Sequence, residues 1–185
     1  WPVGLEVVER RRFRNPADES RLFGPDGLDP AGIAYAPQTE TLLRASEGRS
    51  GTNSPVFVHA ATLGSQFLRE IPVDDKYDHR IEQGADGELP QGIFSSAGFE
   101  SLTLAPAGDV LFVAPEDRLV RDGTPAKAGN GVTGLARSVR YERVGESWAS
   151  AQEFAYEVSA REDSLSGDGV ISLVNLLAVD DDALL

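Results

Sequence analysis

Four carboxylates define the chemistry open to this chain: Asp29, Glu47, Glu100 and Glu116. Each sits beside a short apolar run. Asp29 precedes Ile33-Ala34-Tyr35, Glu47 follows Thr41 to Ala45, Glu100 follows Phe99, and Glu116 follows Val110 to Ala114. Carboxylates gathered at strand ends offer oxygen ligands, and Ca²⁺ takes about 6–8 of them at variable geometry. A cation held there would orient a phosphate ester and its attacking water. Glu100 and Glu47 are the candidate catalytic residues, and all four are candidate metal ligands. The competing reading makes them solvated strand ends or caps on loop amides.

Other reactive side chains carry weaker signals. Asp180-Asp181-Asp182 has the look of a cation site but lacks the glycine and distal glutamate of an EF-hand loop, so it reads as a hairpin turn. The two histidines are His59, within an apolar run, and His79, in a charged loop where neighbouring acids would raise its pKa. Arg10-Arg11-Arg12, Arg14, Arg137, Arg140 and Arg143 could bind phosphate. In so acidic a chain they more often pair with carboxylates. Cysteine is absent, which removes disulfides, thiolate nucleophiles and Cys-ligated zinc. No Gly-x-Ser-x-Gly elbow occurs, so a serine-triad hydrolase has no support.

The elements that must position these groups read as strands. Apolar runs of three to eight residues alternate with turn signals, and none sustains a helical period. The first four are 33–35, 41–45, 55–60 and 66–73. Four more follow a polar stretch, at 99–104, 110–114, 136–141 and 153–158. A third set opens at Val170–Val179, where a short helix competes, and reaches Leu185. The two complete sets are related. With Ala31 placed on Glu100, Ala36 meets Ala105, Pro37 meets Pro106, Leu42 meets Leu111, Ala45 meets Ala114 and Glu47 meets Glu116. The expected fold class is therefore all-β: two four-stranded antiparallel blades, about 31–73 and 99–160, with partial blades at each end. Four strands in about 40–45 residues is the size of a β-propeller blade.

Composition sets the outer limits. The 185 residues, roughly one domain, carry 17 basic and 30 acidic side chains, a net charge of −13. That balance opposes nucleic acid as a partner and disfavours anionic membranes. No apolar run approaches the ~20 residues of a membrane-spanning helix. Methionine is absent even at position 1, which suggests a processed or truncated chain, and no signal peptide opens it.

Asp29-Pro30-Ala31-Gly32-Ile33-Ala34, Ser46-Glu47-Gly48, Gly98-Phe99-Glu100-Ser101-Leu102, Pro106-Ala107-Gly108 and Glu116 with Asp122-Gly123 resemble, in order and spacing, the motifs of the phytase-like domain family. The family is also labelled "esterase-like activity of phytase". The resemblance covers about residues 20–185 and implies a secreted or periplasmic β-propeller. It implies a metal-assisted phosphoric-ester hydrolase, with calcium as the cofactor. The departures are Ala31 and Asn175, where the family carries acids, and Ser101, where it carries glycine.

Two functions follow from different classes. One is that hydrolase, with a phosphate ester as substrate. The other is a non-catalytic propeller segment acting as a binding or assembly module. In either, two and a fraction blades leave edges near 5–13 and 170–185, to be covered by other chains or further blades.

Overall fold

The computed structural model describes residues 14–15, 18–22, 28–48, 54–78, 92–94, 97–123, 134–158 and 172–185. It is all-β, and its helical content among the described residues is two three-residue 3₁₀ turns, Asp75–Tyr77 and Val120–Asp122. A short pair, β1 (Arg14–Asn15) and β2 (Asp18–Leu22), stands first. Next comes an antiparallel meander of β3 (Pro30–Ala36), β4 (Thr41–Ser46), β5 (Phe57–Thr62) and β6 (Phe67–Ile71). The second meander is β7 (Phe99–Leu104), β8 (Val110–Pro115), β9 (Gly134–Val144) and β10 (Ser147–Val158). These sheets occupy the two stretches where the sequence pattern places blades.

The internal repeat extends to the hydrogen-bond register. In the first sheet Ile33 faces Arg44, Ala34 faces Leu43 and Tyr35 faces Leu42. In the second, Leu102 faces Val113, Thr103 faces Phe112 and Leu104 faces Leu111. These are the same positions, 69 residues on. Even the bulge recurs, between Pro30 and Ile33 and again between Phe99 and Ser101. Equivalent turns touch as well: the Gln38 side chain donates to the Ala107 carbonyl at 3.0 Å across that interval.

The sheets stack face to face. Leu43, Ala45, Val58, Ala60 and Ile71 of the first meet Leu102, Leu111, Val113, Val139, Tyr141 and Trp148 of the second. Close approach of β3 to β7 requires Gly32, where an added Cβ would lie 2.6 Å from the Leu102 Cβ. The opposite face of the second sheet, with Val110, Phe112 and Ala114, is covered by Leu176 and Ala178. Each sheet thus presents one face forward and receives the next on it, the head-to-tail packing of a repeat array. Two sheets so stacked do not close a ring.

The run 170–179 differs from both expectations. Its described part, from Ser172, is neither helix nor strand before an isolated bridge pairs Ala178 with Leu184. Backbone bonds between Leu177 and Leu185 close a small hairpin over Asp180–Asp182. Alternation puts Leu176 and Ala178 against the second sheet, while Leu177 and Val179 face outward. A helix would have spread those apolar residues around its circumference. The edge expected near 5–13 lies outside the described residues.

Candidate functional site

The four carboxylates lie at one end of the stacked strands because the repeat places them there. Just past β4, the Glu47 N–H donates to the Asp29 carbonyl at 3.0 Å. Just past β8, the Glu116 N–H donates to the Gly98 carbonyl at 2.8 Å. Gly98 is the repeat counterpart of Asp29, and it also abuts the first sheet: a Cβ there would overlap the Glu47 carbonyl oxygen. The start of β7 is thereby seated on the end of β4. Two residues beyond Gly98, Glu100 reaches the Glu47 side chain.

The result is a carboxyl pair. Glu47 is half-buried and hydrogen-bonded through its side chain to Glu100. Its pKa is pushed up to about 8, first by burial, then by the Glu100 hydrogen bond, and then by the negative charges of Glu100, Asp29 and Glu116. Two carboxylates that close disfavour double ionisation. At neutral pH Glu47 therefore holds a proton and can donate it. The sequence-predicted residues are gathered as follows: Glu47 with Glu100 in contact, and Asp29 and Glu116 acting on Glu47 by charge.

A calcium cage is a stricter demand, calling for about six or more oxygens around one ion. Among the described residues, no three His, Asp or Glu side chains converge closely enough to hold one ion. The physical reason is visible at two positions. Ala31, the repeat counterpart of Glu100, brings no oxygen, and Asn175 is exposed.

The remaining candidates have structural partners. His59 is buried in β5, its ring stacked on Phe57 at 3.8 Å and edge-on to Phe67 at 5.1 Å. Burial, with Arg44 opposite, lowers its pKa to about 3, so it stays neutral. Arg137 donates to Asp122 at 2.6 and 2.9 Å and to Glu153 at 2.6 Å. Arg140 pairs with Glu142 and reaches the Asp181 carbonyl at 3.2 Å. The Arg143 Nε donates to the Gly145 carbonyl at 3.1 Å. The Asp182 N–H donates to the Asp180 side chain at 2.8 Å, completing the turn that the sequence pattern anticipates. Arg14 lies in β1, while Arg10, Arg11, Arg12 and His79 lie outside the described residues.

Sequence reasoning passed over a second polar feature. Arg69, Arg143, Glu146 and Trp148 line a cavity between the two sheets at the opposite end from the carboxylates. The available signal was the repeat itself, which pairs Ala60 with Leu43 but Arg140 with Phe112.

A family model described as "Phytase-like: Esterase-like activity of phytase" matches residues 3–185, nearly the whole chain. No curated protein and no solved structure matches.

Proposed function

The chain belongs to the phytase-like family, and on that premise we propose that it is a β-propeller segment that hydrolyses phosphate esters through the Glu47–Glu100 pair. The observation that carries this reading is the contact between two carboxyls from successive repeats, one of them holding its proton near pH 8. Paired carboxyl groups in different protonation states divide the work of a general acid and a general base. Glu100 takes a proton from water as its oxygen attacks phosphorus. Glu47 gives its proton to the leaving oxygen as the P–O bond breaks, releasing alcohol and inorganic phosphate. Transfer from Glu100 to Glu47 along their shared hydrogen bond restores the pair. Positioned proton transfer of this kind contributes about 10²–10⁴-fold in rate.

Calcium is the ion an all-oxygen set would select. With only two carboxyls in contact, no step above depends on it. Further blades or other chains completing the ring belong to the same proposal, as does a secreted or periplasmic location. Among the described residues no helix is long and apolar enough to cross a membrane.

The second reading is a non-catalytic propeller module, favoured by Ala31 at a position where the family carries an acid. Turnover of a generic phosphomonoester such as p-nitrophenyl phosphate, with calcium and with a chelator, separates the two. Turnover lost in Glu100→Gln supports the hydrolase. Absence of turnover under both conditions supports the module.

A further inference from the structure

We propose that the cavity between the two sheets binds a small organic carboxylate, a function separate from the Glu47–Glu100 pair. The cavity has a volume of about 230 Å³. Its floor is Leu43 and Ala60 of the first sheet, and its walls are Thr41, Leu68 and the buried Trp148. It lies by the turn before β4, a whole strand away from Glu47, or about 20 Å at strand rise.

The repeat explains why space exists here. The Leu43–Ala60 pair of the first sheet corresponds to Phe112–Arg140 in the second. At the second sheet's forward face Phe112 is buried against residues after Leu173, and Arg140 adds bulk beside it. The smaller pair leaves a gap between the sheets that the larger pair does not.

The charges at the gap select the ligand. Arg69 is neutralised by Glu146, to whose carbonyl it donates and whose carboxylate it meets at 3.5 Å. Arg143 projects from the same face as Tyr141, beside its cross-strand neighbour Trp148. Among the described residues only its Nε is engaged as a side-chain donor, which leaves both terminal nitrogens of the fork for a carboxylate. One net positive charge over an apolar floor and an indole fits a monoanion with a flat apolar body. The volume falls below the ~300 Å³ of drug-sized pockets, so the ligand is fragment-sized.

Benzoate is the probe, in the full chain carrying Trp1→Phe so that Trp148 is the sole tryptophan. Benzoate should change Trp148 emission saturably, and benzyl alcohol should bind about tenfold more weakly for want of the charge-assisted hydrogen bonds. Arg143→Gln, at a partly exposed site, should weaken benzoate by a similar factor. Ala60→Leu, which refills the floor, should abolish binding; circular dichroism and a melting curve verify that this variant folds. No saturable change below about 20 mM, equal binding of benzoate and benzyl alcohol, or benzoate binding unaltered by Arg143→Gln would each overturn the proposal.

Discussion

The Glu47 carboxyl, just past β4, is hydrogen-bonded to the Glu100 carboxyl in β7, and the contact joins two successive repeats. Because Glu47 is raised to about 8, chiefly by burial, the folded protein binds a proton there that the unfolded chain releases near pH 4.5. Stability from this group is complete below that value and declines as pH rises through about 8. Glu47 is partly solvated, so the effect should amount to about 1–2 kcal/mol after screening. Denaturant melts at pH 5, 7 and 9 should show Glu47→Gln gaining on the parent as pH rises. Parallel curves for the two proteins would remove the raised pKa.

Gly98 should be intolerant of any side chain. Its Cβ would overlap the Glu47 carbonyl oxygen, a backbone atom that cannot swing aside. Gly98→Ala should cost about 1–3 kcal/mol as an overpacked contact. It should also abolish the pH-dependent stability assigned to Glu47, by moving β7 off the end of β4. A melting temperature within error of the parent would show that the seating is looser than described.

Arg137 ties the outer strands to both 3₁₀ turns. It holds Asp122 of one turn and Glu153 of β10, and Glu153 also binds Lys76 and the Tyr77 hydroxyl of the other turn. The Arg137 hydrogen bond lowers the Asp122 pKa against a smaller opposing effect of burial. For Glu153, burial pushes upward, but Lys76, Arg137 and Tyr77 together hold it below its ordinary value. The stability these two groups supply is present above the ordinary carboxylate range and lost as pH falls through their lowered values. Arg137→Met should cost about 2–4 kcal/mol at pH 7, because it strands partly buried carboxylates. Equilibrium urea unfolding measures this, and the difference should shrink below pH 4.

His59 gives the acid side a second component. Its pKa is lowered to about 3 by burial and by Arg44, so the unfolded chain takes up a proton below about 6.5 that the folded chain refuses. Stability from this group is intact above that pH and falls between about 6.5 and 3. His59→Phe should lose less stability between pH 7 and 5 than the parent does. An NMR titration placing the His59 pKa near 6.5 would contradict the assignment.

Much of this was legible in the sequence because the repeat carries it. The identities aligning Ala36 with Ala105 and Glu47 with Glu116 fix the register of both inner hairpins. They also predict that Glu47 and Glu100 share an end. Which carboxyls touch was not legible, since that depends on Gly98 letting β7 approach Glu47. The cavity was hidden for a related reason: Ala60 becomes informative only once the sheets are known to stack on that face. At 170–179, a continuous apolar run suits helix, strand or an irregular segment equally, and packing against Phe112 decides.

The most direct test of the hydrolase reading is the pH dependence of p-nitrophenyl phosphate turnover by the full chain, its Glu47→Gln variant and its Glu100→Gln variant. The pair as described predicts measurable turnover that declines above about pH 8, where Glu47 loses its proton. Both variants should lose about 10²-fold or more in kcat. Turnover that survives both substitutions, or a parent chain with none, would contradict the assignment of hydrolysis to Glu47 and Glu100.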